Sequence, residues 1–244
     1  MSLATAPTRQ QNRAEMEARI VAAACSLLAE HGEVTLRAVA RELGLTAPAL
    51  YRYAASHEEL VRMVAIAIDN EVAEHVAVAA AAQPEEDVAA QLIAACVEFR
   101  RWALSHRKEF ALVFANVDVE CIKEHDGSSG MVFSGLLFRL WEAYQFPVPS
   151  LSELDPGLAE ILQQPDAPVT PEMTDDLAGL TWLLTQGWSR LYGTVTLEVF
   201  GHVDARLVEE GHLFRSMIAD QAEPLGLVAE LPRLQALIET LLAR

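Results

Sequence analysis

Apolar residues recur along this chain at three- and four-residue spacing and almost nowhere in strict alternation with polar ones. That periodicity predicts helices throughout. Ile20, Ala23, Ala24, Leu27 and Leu28 fall on one face of a first helix over residues 13–31. Gly32 suits a cap at its C-terminal end. Thr35 stands where an N-cap belongs, ahead of a second short helix over 36–43. Gly44 ends that helix. Thr46 then precedes a third helix over 47–53, where Pro48 is tolerated because a first-turn N–H has no helical partner. Ser56 with Glu59 three residues on has capping-box spacing and opens a fourth helix to about residue 82.

Beyond Pro84, the acids Glu85, Glu86 and Asp87 favour the positive end of a further helix, over about 87–104. It would bury Val88, Leu92, Ala95, Cys96 and Phe99. Another helix is predicted over about 107–117. The cluster HDGSSG at 125–130 reads as a turn, and 132–144 is again apolar at helical spacing. Six prolines between Phe146 and Pro171 predict an extended loop with one helical turn near 158–162. Residues 174–203 read as a long helix, apolar on almost every face and therefore buried on most of them. Asp204 is placed to cap one more helix to about 221, and 234–242 forms a last short one. No internal repeat is found. The fold class expected is all-α: a three-helix helix-turn-helix head and a larger helical-bundle domain for effector binding and dimerisation. The divisions expected are 1–55 for the head, with 1–12 unstructured, 56–82 for a connecting helix and 83–244 for the body.

Composition agrees with this picture. Apolar residues make up 52% of the 244 positions, more than one core requires, which points to surface buried between subunits. The net charge of −17 argues by itself against a nucleic-acid binder. Its distribution removes the objection. Residues 1–60 hold six arginines against seven acids, so nearly all of the negative charge lies in the rest of the chain. An acidic body is repelled by phosphate and helps turn the head toward DNA. The three cysteines, Cys25, Cys96 and Cys121, are odd in number and widely spaced. They are expected to be reduced thiols. The polar first thirteen residues lack the apolar core of an export signal, and no stretch approaches the ~20 apolar residues of a membrane span. The expected compartment is the cytoplasm, with no membrane contact.

The informative segment is Thr35–Tyr53, TLRAVARELGLTAPALYRY. Two short helices meet at Gly44, and the small Ala40 four residues earlier lets the second cross closely. Val39, Leu43, Leu45 and Leu50 supply a shared core. This is the pattern of a DNA-binding helix-turn-helix, whose second helix enters the major groove. An ordinary helical hairpin has the same local pattern.

The wider segment, with Gly32, Thr35, Ala40, Gly44, Pro48, Leu50-Tyr51 and Ser56-x-x-Glu59-Leu60, closely resembles the N-terminal domain of the tetracycline-repressor (TetR) family over about residues 13–63. The resemblance implies a set of DNA-facing residues. Arg37 matches a position that reaches a base, and a guanine suits its forked donors. Thr46, Ala47, Pro48 and Ala49 match the exposed start of the recognition helix, where alanine methyls would meet thymine methyls. Thr35, Tyr51 and Tyr53 match phosphate-contacting positions, and Arg52 is a reserve contact. Two positions depart from the family pattern: Ala54 stands where phenylalanine is common, and His57 where lysine is. Losing that lysine removes a phosphate charge, although the start of the fourth helix still offers N–H groups. Tyr51 has the alternative of packing its ring between helices, and Arg37 of a surface ion pair with Glu33 or Glu42.

The segment Trp188-Ser-Arg-Leu-Tyr-Gly193 with Glu198 and Gly201 is similar to a Trp-x-x-Leu-x-Gly…Glu-x-x-Gly element of some effector domains in that family. An apolar ligand pocket is expected between body helices, drawn from Trp102, His106, Phe110, Phe114, Phe133, Trp141, Trp182 and Gln186. Arg100 and Arg190 are further candidates to orient a ligand. Each aromatic has the alternative of being plain core. The family also implies a homodimer through late helices, at about 174–222. A two-fold pair would read a palindromic DNA operator and be released by a small-molecule effector, as a repressor. The connecting helix would pass the effector's influence to the head.

Enzymes are disfavoured. The seven histidines are scattered, Asp175 and Asp176 point apart on a helix, and no phosphate-gripping loop or nucleophile elbow occurs. No cofactor or metal is implied. The competing reading is a helical protein-interaction adaptor without DNA affinity.

Overall fold

The computed structural model describes residues 9–114, 128–163 and 175–243. Among these, twelve α-helices and one 3-10 turn account for the regular structure. The helices are α1 (Arg9–His31), α2 (Leu36–Glu42), α3 (Ala47–Leu50), α4 (His57–Ala81), α5 (Val88–Ser105) and α6 (Arg107–Phe114). They continue as α7 (Ser129–Tyr144), α8 (Pro156–Leu162), α9 (Asp175–Val199), α10 (Ala205–Glu209), α11 (His212–Asp220) and α12 (Leu231–Leu242). Among the described residues no helix is long and apolar enough to cross a membrane.

The described residues divide into two compact units, one from 9–71 and 106–114, the other from 72–105, 128–163 and 175–243. The division falls inside α4. In the first unit Ile20, Ala24, Leu27 and Leu28 of α1 form one buried stripe. It meets α2 on one side and α6 on the other. Val39, Leu50, Ala54, Leu60 and Phe110 complete this core. Each such aliphatic side chain contributes roughly 1.5–3 kcal/mol by leaving water. Lys108 of α6 donates from Nζ to the carbonyls of Ala29 and Glu30, at 2.6 and 2.9 Å. A cation thereby satisfies the open carbonyls at the end of α1.

In the second unit α5 packs against α7, α9 and α12, and α9 against α11. Thirteen residues of α5 are buried, so that helix is the hub of the core. An aromatic cluster holds its centre. Phe99 lies edge-on to Phe133 at 6.1 Å and against Trp188 at 5.3 Å, and Trp188 stacks on Tyr192. On the surface Arg233 of α12 reaches both Asp87 and Glu230.

Several boundaries differ from the sequence expectation. The first helix begins at Arg9, because Gln10, Gln11 and Asn12 extend it without contributing to its apolar face, so these residues are not unstructured; residues 1–8 lie outside the described ones. The third helix ends at Leu50, with Tyr51 as its C-cap and a turn over 51–53. Ser129 and Gly130 of the predicted turn belong to α7, while 125–127 lie outside the described residues. Likewise the ends of the helix predicted to residue 117 and of the proline-rich loop to 171 lie outside, as does Cys121. The helix expected over 204–221 is two, α10 and α11. Gly211 separates them with φ of +64°, a left-handed conformation that breaks the helical path. The last helix starts earlier than expected, at Leu231, since Pro232 sits in its first turn where no N–H is needed.

Candidate nucleic-acid interface and ligand cavity

Local chemistry explains how α2 and α3 are set. Thr35 caps α2 by accepting the Ala38 N–H at 3.2 Å. At the other end Gly44 takes φ of +65°. Leu45 N–H then reaches the Ala40 carbonyl at 2.8 Å and Gly44 N–H the Arg41 carbonyl at 3.2 Å. This paired closure satisfies orphan carbonyls and aims the chain into α3. Thr46 occupies the N-cap position of α3, but its hydroxyl makes no capping bond. The hydroxyl is therefore not used up inside the turn. Further on, Ser56 Oγ accepts the Glu59 N–H at 3.1 Å, while Glu59 reaches back to the Ala55 N–H at 2.7 Å. This clamp fixes the start of α4 and leaves its first turn acidic, with Glu58 beside Glu59. Hydrogen bonding from Ser56 holds the exposed Glu58 carboxyl below its ordinary range.

The short α3 is anchored by one side chain. Leu50 is 0% exposed, whereas Ala47 and Pro48 are exposed and Ala49 is half-buried. Thr46, Arg37, Arg52, Thr35 and His57 are also exposed. Tyr51 is 50% exposed, so its ring is not packed between helices. Tyr53 is half-buried, with the Arg13 guanidinium 5.9 Å from its ring centre. Among the described residues Arg37 makes no ion pair with Glu33 or Glu42, and its donors are open to a partner. Ala54 is fully buried where the family pattern has a larger ring. The candidate DNA-facing residues thus share the first unit, on the segment from α2 to the start of α4.

The second unit holds a cavity of about 130 Å³. Its wall is largely aliphatic, with contributions from α5, α7, α9, α11 and α12. Of the predicted pocket residues Phe133 and Gln186 line it, and so does Arg190. Trp102, Trp141 and Trp182 do not, although Trp102 is buried. His106, Phe110 and Phe114 fall in the first unit, where α6 packs on α1 and Phe110 fills the core, its ring 5.0 Å from that of Phe114. Arg100 is occupied elsewhere. Its Nε donates to Glu198 Oε2 at 2.6 Å and its Nη2 to the Val208 carbonyl, with the Phe214 ring 5.5 Å away.

Sequence reasoning missed Gln221, which lines the cavity. The available signal was its position: Met217, Ile218 and Gln221 share a helical face that is otherwise apolar. The Trp-x-x-Leu-x-Gly…Glu-x-x-Gly element also gains a physical meaning. Trp188 and Leu191 line the cavity, Glu198 holds Arg100, and Gly201 closes α9 with the His202 N–H on the Leu197 carbonyl at 2.9 Å.

Comparison with known proteins gives two successive matches along the chain. Residues 20–64 match the family described as bacterial regulatory proteins, tetR family. Residues 92–221, more than half of the chain, match the tetracyclin repressor-like C-terminal domain. Similar curated proteins include the HTH-type transcriptional regulators Mb1846 of Mycobacterium bovis and Rv1816 of Mycobacterium tuberculosis. Each is 30% identical over 110 residues, which is 44% of this chain and 47% of the relative. The match therefore spans about half the length of those relatives. The crystal structure of a protein described as regulatory, SCO4313, superposes with a TM-score of 0.53 over 98% of this chain and 100% of that one. At 19% identity that likeness concerns the fold. By the span of its C-terminal match, joined to the helix-turn-helix match before it, this chain belongs to the TetR family of bacterial regulatory proteins.

Proposed function

We propose that this chain is a transcription regulator that binds duplex DNA through α2 and α3. It acts as a two-fold dimer on a palindromic operator and is released, as a repressor, by a small molecule held in the second unit. The observation that carries the reading is the asymmetry of α3: Leu50 wholly buried, Ala47 and Pro48 exposed. A helix held by one side chain and small on its outer face fits closely into a major groove. Methyl groups there suit thymine methyls, and the open guanidinium of Arg37 suits the paired acceptors of guanine. Thr35, Tyr51 and Tyr53 would donate to phosphates. With His57 in place of a lysine, non-specific affinity is weaker than a lysine would give, and fewer counterions are released.

Dimerisation is supported by Leu197, Phe200 and Leu207, large apolar residues that stay exposed at the end of α9 and on α10. Apolar surface of that kind is characteristic of an interface. The ligand is supported by the apolar cavity, and its effect requires tighter binding to the form whose heads fit DNA badly.

Selection of bound sequences from a pool of random duplexes tests the reading. The expected product is a two-fold symmetric site with half-sites about 10–10.5 base pairs, or a multiple, apart. A pool that shows no enrichment for any sequence would overturn it and favour a protein-binding adaptor.

A further inference from the structure

The cavity of the second unit is chemically lopsided. Its wall includes Leu92, Leu137, Leu183 and Leu234, with Phe133 and Trp188 as aromatic surfaces. Its polar side chains are Gln186, Arg190 and Gln221, with the thiol of Cys96. Among the described residues no carboxylate lines it. Arg190 Nη1 donates to Gln221 Oε1 at 3.2 Å. That bond settles how the Gln221 amide is turned, because the reverse orientation would set donor against donor. Gln221 Nε2 is consequently the other end, buried and without an acceptor among the described residues. A buried donor costs about 1–3 kcal/mol if it stays unpaired, so an acceptor brought by a ligand is favoured at this position. Among the described residues Arg190 has no acidic partner either.

We infer that this cavity takes a small, largely apolar carboxylate, held by Arg190 and Gln221. The inference rests on the reading of this chain as a ligand-responsive regulator and names the class of its effector. The apolar body would replace water against leucine and tryptophan. A cavity of roughly 150 Å³ with such walls holds a benzene-sized molecule. The carboxylate would accept from Gln221 Nε2 and from the guanidinium, and charge-assisted bonds of this kind are about twice as strong as neutral ones. An amine of the same shape finds no acceptor among the charged groups and is repelled by Arg190. Capture is non-covalent. Burial pushes the Cys96 thiol up to about 12, so it stays protonated and is a poor nucleophile at neutral pH.

The full-length protein is titrated with benzoate, hexanoate, toluene and benzylamine, by calorimetry and thermal unfolding. Benzoate or hexanoate at a hundredfold excess over its dissociation constant is expected to raise the melting temperature by about 5–10 °C. Toluene binds at least tenfold more weakly and benzylamine gives no shift. Arg190→Leu and Gln221→Leu each lower carboxylate affinity at least tenfold, and Arg190→Lys keeps most of it. Should a variant fail to fold, the four probes on the unsubstituted chain decide the matter. Equal binding of toluene or benzylamine, or no binding of either carboxylate, overturns the inference. Duplex affinity of the unliganded chain is measured alongside. DNA binding without carboxylate binding removes this inference alone, and carboxylate binding without DNA binding removes the regulator reading alone.

Discussion

Arg100 and Glu198 meet inside the second unit at 2.6 Å, with side chains only 7% and 0% exposed. The contact joins α5 to α9, and through the Val208 carbonyl to the end of α10. Glu198 Oε1 is buried and has no hydrogen-bond partner among the described residues. A buried pair of this kind is weak evidence for net stability, but breaking it from one side is costly. Arg100→Leu is expected to destabilise the protein by about 3 kcal/mol, near the low end for such pairs because Glu198 can take up a proton. The double variant Arg100→Leu/Glu198→Leu is expected to recover most of that loss. Urea unfolding of the three proteins checks this, and equal losses in the single and double variants would count against it.

The same carboxyl gives a pH dependence. Burial raises the Glu198 pKa above its ordinary value of 4.5, and its hydrogen bond and charge interaction with Arg100 only partly oppose the rise. The folded chain therefore binds this proton more tightly than the unfolded chain. The associated stability is fully present below pH 4.5 and is lost as pH climbs through the raised folded value. Unfolding free energies of the unsubstituted protein and Glu198→Gln, compared from pH 4.5 upward, should show the former losing ground. A difference that moves the other way contradicts the assignment.

Gly44 carries a conformational requirement free of any steric one. Its φ is +65°, yet an added Cβ meets nothing within 4 Å. Gly44→Val is expected to cost about 1–2 kcal/mol from backbone strain alone, and Gly44→Asn less, since asparagine enters this region more readily. Thermal unfolding that ranks the two variants in the reverse order would contradict this.

Cys25 and Cys96 should be inert in the folded protein. Burial, the largest cause, pushes Cys25 up to about 11, with Glu71 and Glu109 adding to it, and burial alone pushes Cys96 to about 12. Iodoacetamide at pH 8, followed by peptide mass spectrometry, should label neither until denaturant is added. Rapid labelling of Cys96 in the native protein would show that the core of the second unit is open.

What could be read from sequence was what depends on neighbours in the chain. The Thr35 cap, the Gly44 closure and the Ser56–Glu59 clamp each involve groups within a few residues. They place Leu50 inward and Ala47 outward without any knowledge of the rest. The cavity was less legible for the opposite reason. Leu92, Phe133 and Trp188 come from three helices and Gln221 from the C-cap of a fourth, and no local spacing says that they meet. Phe110 and Phe114 resemble the aromatics of the second unit in every local respect, and only the packing of α6 on α1 separates them. The split between α10 and α11 turned on the conformation of Gly211, for which isolated glycines give no sure sign.

The central claim is that the outer face of α3 reads DNA, and the most direct test is duplex affinity across a range of salt concentrations. Fluorescence anisotropy is measured with the DNA flanking the chain's own coding region, for the unsubstituted protein and for Ala47→Glu. Affinity is predicted to fall linearly on a logarithmic salt axis, by about 0.9 per phosphate neutralised. The exposed Ala47→Glu should melt within roughly 0.5 kcal/mol of the unsubstituted protein, yet lose specific binding by a hundredfold or more. Salt-independent binding, or an Ala47→Glu protein that binds as tightly as before, would contradict the account.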